Sequence, residues 1–190
     1  MKFTRLKIPD VIMCEPMLYK DDRGYFTEIY RKDKLDEFLG YSINFCQVNE
    51  SKSSYGVLRG LHYQLAPYAQ TKLVRVIHGS ILDVAVDLRK DSTTFGQHVA
   101  VELSAENKQL LLIPKGFAHG FVVLTKAAFV AYKLDGYYMP EFERGIAYND
   151  PSLNINWGIK TENVKLSSKD NGHPLFDAAE YFESSHNMYE

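Results

Sequence analysis

Leu82-Asp83-Val84-Ala85-Val86-Asp87-Leu88 alternates with a period of two, leucine and valine taking every even position. Only an extended strand gathers such a series onto one wholly apolar face. Short runs of the same kind extend outward from it in both directions. Toward the N-terminus, Lys72–His78 and Leu58–Gln64 read as strands, preceded by residues 44–50, 24–30, 13–19 and 3–8. After Ser80–Asp87 come residues 96–103, 109–113, 119–123 and 128–132. Turn chemistry separates them: Asp21-Asp22-Arg23-Gly24, His78-Gly79-Ser80, Pro114-Lys115-Gly116 and Asn149-Asp150-Pro151. Lys32–Leu39 reads as a short helix with Leu35, Phe38 and Leu39 on one face and Gly40 as its stop. So many strands with so little helix predict an all-β sandwich or jelly roll with short peripheral helices.

No linker, charge block or repeat divides the 190 residues, which predicts one domain over 1–190. From about residue 158 the periodicity weakens, as expected of a tail wrapping the barrel. The net charge of −2 supplies no basic field for nucleic acid, so an anionic ligand must be held by local cations. Apolar runs such as Leu110-Leu111-Leu112-Ile113 are too short to span a bilayer, and the N-terminus does not read as a signal peptide. Cys14 and Cys46, each in an apolar-rich stretch, read as reduced packing residues, and the expected compartment is the cytoplasm.

Polar chemistry concentrates in Gly56-Val57-Leu58-Arg59-Gly60-Leu61-His62-Tyr63-Gln64 and in the strand opened by Lys72. Strict alternation puts Gly60, His62 and Gln64 on one face and Arg59 and Leu61 on the other, unless Gly60 marks a bulge. A lone histidine is usually a satisfied core residue. Arginine, histidine, glutamine and lysine together are costly to bury without a ligand or network. Ile113-Pro114-Lys115-Gly116-Phe117-Ala118-His119-Gly120 resembles the second half of the cupin signature, with His119 at the entry to a strand. Metal cupins carry a second histidine two positions after the first, where this chain has Gln64, so a metal-free jelly roll is expected.

Arg23-Gly24-Tyr25-Phe26-Thr27-Glu28, Gln47-Val48-Asn49-Glu50-Ser51, the His62 and His119 segments, Tyr132, Tyr138-Met139-Pro140, Glu143-Arg144-Gly145, Asn149-Asp150-Pro151 and Leu166-Ser167-Ser168-Lys169-Asp170 occur in this order. The set resembles the dTDP-4-dehydrorhamnose 3,5-epimerase family over about the first 175 residues. That resemblance implies a cofactor-free enzyme inverting C3 and C5 of dTDP-4-dehydro-6-deoxy-D-glucose, for dTDP-L-rhamnose synthesis. By position, His62 is the base, oriented by Asp170, and imidazole suits proton abstraction near neutral pH. Lys72 stabilises the enolate, and Tyr132 is the proton donor.

Arg59 and His119 match contacts to the sugar and diphosphate. Arg23, Glu28, Gln47, Asn49, Glu143 and Lys169 match further nucleotide-sugar contacts, and Phe26 and Tyr138 stack on thymine or line the sugar site. The resemblance also implies a homodimer in which residues 23–28 enter the partner's site. A single-centre epimerase of a related dTDP-linked 4-keto-6-deoxyhexose shares these motifs. A metal-dependent cupin enzyme and a non-catalytic sugar-binding cupin are the readings from other classes.

Overall fold

The computed structural model describes residues 1–183 together with Met188 and Tyr189. Its strands are β1 (Lys2–Arg5), β2 (Ile12–Glu15), β3 (Leu18–Asp21), β4 (Gly24–Thr27), β5 (Gln47–Ser54), β6 (Leu58–Gln64), β7 (Lys72–His78), β8 (Ser80–Asp87), β9 (His98–Ser104), β10 (Leu110–Ile113), β11 (Phe117–Val123), β12 (Ala127–Leu134) and β13 (Glu143–Gly145). Helix α1 spans Lys32–Leu39, ending at a left-handed Gly40, and α2 is the single turn Ser168–Asn171. The strands form a six-stranded sheet, β1-β2-β10-β7-β12-β5, and a five-stranded sheet, β13-β6-β11-β8-β9. Hairpin β3–β4 stands apart from both. This is the expected all-β, cupin-type jelly roll.

Three apolar layers hold it together. Between the sheets, Val74, Val76, Leu111, Ile113 and Val130 meet Ile81, Ala85, Val99, Leu103, Phe117 and Phe121. Outside the five-stranded sheet, Leu58, Leu61, Val84, Val86, Leu88 and Val122 pack under Ile146, Trp157, Phe176 and Phe182. Outside the six-stranded sheet, Ile12, Cys14, Leu73, Leu110 and Leu112 pack under Leu35 and Ile43. The wholly apolar face of β8 therefore points outward, beneath the C-terminal segment. Its inward face carries Asp83, buried between the sheets.

Some expected boundaries move. Residues 13–19 do not form one strand: pairing with β10 ends at Cys14 and with β1 at Glu15, and Leu18 already pairs with Thr27 in the hairpin. β4 ends at Thr27 rather than residue 30, and β5 is shifted toward Ser54, following its register against β12. β11 begins at Phe117, so His119 lies inside the strand rather than at its entry. Cys14 is buried, and burial pushes its thiol up to about 12. Cys46 is exposed, so its apolar neighbours misled the packing assignment. No helix among the described residues is long and apolar enough to cross a membrane.

Candidate active site

The site is built on a break in β6. His62 pairs with His119 and Arg59 with Phe121, so three steps along β6 match two along β11. This is a bulge at Gly60, and it brings Arg59 and His62 to the same open hollow while Leu58 and Leu61 stay in the outer layer. Only glycine fits the crossing: Gly60 has φ +124°, and a Cβ there would stand 2.5 Å from the Cα of Gly120.

Two adjoining hollows of about 270 and 330 Å³ open between the sheets. His62, Lys72 and Tyr132 line both. His62 comes from the five-stranded sheet, Lys72 and Tyr132 from the six-stranded one. Asn49, Gln64, Gln70, Tyr138 and Glu143 are among the other residues of the first hollow. Ser51, Arg59, His119, Phe121, Lys169 and Asp170 are among those of the second.

His62 Nε2 lies 2.5 Å from Asp170 Oδ1. Asp170 is held in turn by Ser167, whose hydroxyl donates to Oδ2 at 2.8 Å and accepts from the Asp170 N–H at 3.1 Å. Burial alone would raise the Asp170 carboxyl, but the hydrogen bond and charge of His62, with the Ser167 bond, hold it at about 2. A carboxylate on Nε2 fixes that nitrogen as a donor and leaves Nδ1 as the ring's basic atom.

Lys72 Nζ donates to the His62 carbonyl at 3.3 Å. Burial brings its ammonium down to about 8, against the opposing charges of Asp83 and Glu143. His119 Nε2 is bonded to Asp83 Oδ1 at 2.6 Å, and burial still lowers its pKa despite that partner. At the mouth, Tyr138 donates to Glu143 Oε2 at 2.5 Å, and the same oxygen accepts from Lys169. Burial is the largest single effect on the Glu143 carboxyl and would raise it, but those two bonds and the Lys169 charge together hold it below its usual range. Gln47 bonds Asn49 Oδ1 at 2.9 Å and the Tyr138 N–H at 3.2 Å. Arg59 Nε donates to Ser53 at 3.0 Å.

Catalytic candidates His62, Tyr132, Asp170 and Lys72 thus converge, with Arg59, Asn49, His119, Tyr138, Glu143 and Lys169 on the walls and Gln47 one hydrogen bond behind. Arg23, Phe26 and Glu28 lie elsewhere. Arg23 is on the β3–β4 hairpin, 90% exposed and paired only with Asp21, while Phe26 is 71% exposed. Glu28 bonds Lys34 at 3.2 Å. Sequence reasoning missed Ser51, Gln70 and Phe121, none of which breaks its strand or turn pattern.

The positions of metal-cupin ligands hold His62, Gln64 and His119. The Gln64 amide donates to the carbonyls of Tyr68 and Tyr137 and accepts from the Met139 N–H. His119 is committed to Asp83. This set does not fit a cupin metal.

Fold and cleft define a cupin-type jelly roll whose hollow gathers an imidazole, a phenol and an ammonium group. A dTDP-4-dehydrorhamnose 3,5-epimerase of Shigella flexneri is 50% identical over 182 residues, 96% of this chain and 99% of that protein. The crystal structure of dTDP-4-dehydrorhamnose 3,5-epimerase from Elizabethkingia anophelis NUHP1 matches with TM-score 0.91 and 47% identity, over 93% of this chain and 97% of that one. That of dTDP-6-deoxy-D-glucose-3,5-epimerase from Legionella pneumophila, in complex with dTDP-4-keto-L-rhamnose, has TM-score 0.91 and 45% identity over 96% and 97%. The family model described as dTDP-4-dehydrorhamnose 3,5-epimerase matches residues 5–178, and the chain belongs to that family.

Proposed function

We propose that this enzyme inverts C3 and C5 of dTDP-4-dehydro-6-deoxy-D-glucose, giving dTDP-4-dehydro-β-L-rhamnose for dTDP-L-rhamnose synthesis, with no cofactor. One observation carries the reading: His62 and Tyr132 face a shared hollow from opposing sheets. A sugar ring between them presents one face to an imidazole and the other to a phenol.

At each centre His62 Nδ1 takes the proton from the carbon beside the C4 ketone. The C–H electron pair moves into an enolate whose oxygen lies against Lys72, a fixed cation where charge develops. The Tyr132 hydroxyl then protonates the carbon from the far face, leaving a phenolate that regains its proton from water as His62 loses its own. Asp170 keeps His62 in the required tautomer.

Arg59 and Lys169 offer donors to the diphosphate, arginine through two parallel N–H groups, and His119 stands against the sugar. Asn49, Gln47, Tyr138 and Glu143 hold sugar and nucleotide at the mouth. The exposed Arg23 and Phe26, with the half-buried Glu28, reach the nucleotide of a partner subunit, the sites of a homodimer being shared. The net charge of −2 fits a small-molecule partner rather than nucleic acid, and the expected compartment is the cytoplasm.

The test is turnover of the dTDP-4-keto sugar in deuterated water with NMR of the product. Deuterium at both C3 and C5 with L-rhamno configuration is expected. Label at one carbon only would identify a single-centre enzyme.

A further inference from the structure

His173 has no part in that reaction, yet it is placed with care. Its side chain is only 9% exposed, and its buried Nε2 has no hydrogen-bond partner. The nearest acceptor, Asp170 Oδ1, is 3.4 Å away and already takes His62 Nε2 at 2.5 Å. The ring lies flat on Gly145, where a Cβ would stand 2.4 Å from Nε2. Gly145 pairs with His62 across β13 and β6, and its φ is not positive, so this glycine supplies space for the ring rather than a special backbone angle. The His62 and His173 rings meet edge to face, centroids 5.3 Å apart.

We propose that His173, Asp170 and His62 form a site for a divalent transition cation of the zinc type, and that filling it silences the base. Two imidazoles and a carboxylate are the nitrogen and oxygen donors zinc takes. Their ligand atoms all lie within 4.8 Å of one another. Tetrahedral zinc at about 2.1 Å from each ligand sets neighbouring ligands about 3.4 Å apart, the spacing His173 already keeps from Asp170. His62 must release its Nε2 proton and retreat by about 1 Å to make the third bond. A separate hollow of about 360 Å³, lined by Gly145, Gly172 and His173, lies on this side and leaves room for a water as fourth ligand. The set shares only His62 with the metal-cupin positions. Bound through Nε2, His62 loses its hydrogen bond to Asp170 and its one ring proton moves to Nδ1, which then has no lone pair left to take a proton from the sugar. Cation binding stands on geometry alone; the silencing rests on His62 being the base.

Calorimetric titration of the intact protein with zinc chloride should show one zinc per chain, with affinity at least tenfold weaker in His173→Ala. His173→Asn serves where alanine impairs folding. Cobalt(II) should give the intense visible absorption of a four-coordinate ion in the unmodified protein, a readout that needs no variant. Zinc should abolish solvent exchange into the keto sugar, and EDTA should restore it. Absence of stoichiometric zinc, undiminished affinity in both His173 variants, or a weak octahedral cobalt spectrum would overturn the site. Zinc bound with turnover unchanged would overturn the silencing and point to a fault in the base assignment instead.

Discussion

Among the catalytic candidates, Lys72 is one whose chemistry departs from its type. A lysine on a strand normally reaches water, but this one ends inside the sandwich against the His62 carbonyl. Burial lowers it to about 8, so kcat/KM should fall as pH rises through about 8 and the cation beside the enolate is lost. In Lys72→Arg that alkaline limb should vanish from a pH profile taken to about 10, because a guanidinium stays charged. The same shift has a stability consequence of defined sign. The folded value lies below the ordinary 10.5, so between the two the unfolded chain binds more protons. The fold therefore gains stability from this group as pH rises through that window. Lys72→Met should accordingly melt higher than the parent at pH 7 while turning over far more slowly. Tyr132 admits a cleaner separation of steps. Tyr132→Phe keeps the ring packed against Val130 and its neighbours and removes only the hydroxyl. Deuterium exchange at the abstracted carbons should persist while net inversion falls about a hundredfold or more, checked by NMR of recovered substrate and product. Equal loss of both would remove Tyr132 from the donor role.

At the scale of the element, the site depends on the bulge in β6. Gly60→Ala meets two obstacles: a left-handed φ of +124° and a Cβ 2.5 Å from Gly120 Cα. Strain of about 1–3 kcal/mol for the dihedral, plus the clash, should destabilise the protein by at least about 2 kcal/mol in urea unfolding. Activity should drop further than stability does, because a repaired register would turn Arg59 away from the interior that holds His62. A Gly60→Ala protein as active and as stable as the parent would refute the bulge as the positioning device. The short α2 turn shows the same economy of structure. Ser167 caps it, and the cap delivers Asp170 to His62 from a segment 108 residues away.

At the scale of the molecule, hairpin β3–β4 carries Tyr19, Tyr25 and Phe26, each more than half exposed, with Arg23 at its turn. In the proposed dimer this hairpin completes the neighbouring cleft. Arg23→Ala should then weaken dTDP binding by about ten- to a hundredfold, the value of one charged hydrogen bond, measured by calorimetry. Mixing gives the decisive outcome. A dimer of one Arg23→Ala chain and one His62→Ala chain has one site with both lesions and one with neither. At substrate concentrations that leave the Arg23→Ala dimer largely unbound, such mixtures should exceed the activity of both parents once subunits have exchanged.

Read alone, the sequence determined what local chemistry determines. Period-two runs and turn residues identified the strands, and the ordered motifs identified the family and pointed to four side chains that the fold brings to one cleft. Helix α1 was legible from its apolar face and Gly40. Other features depended on which surface each strand presents to what, and a single chain read in order does not contain that. The alternation in β8 was plain, but only the tertiary structure turned its apolar face outward under Trp157 and Phe176 and its Asp83 inward to His119. Alternation also left two readings of Gly60, and pairing with β11 decided between them. His173 carried no signal, since a histidine in a polar turn looks solvated. Only the closure of residues 168–173 onto β6 and β13 buries it beside Asp170, because long-range contact, not local pattern, sets which polar groups lose their water.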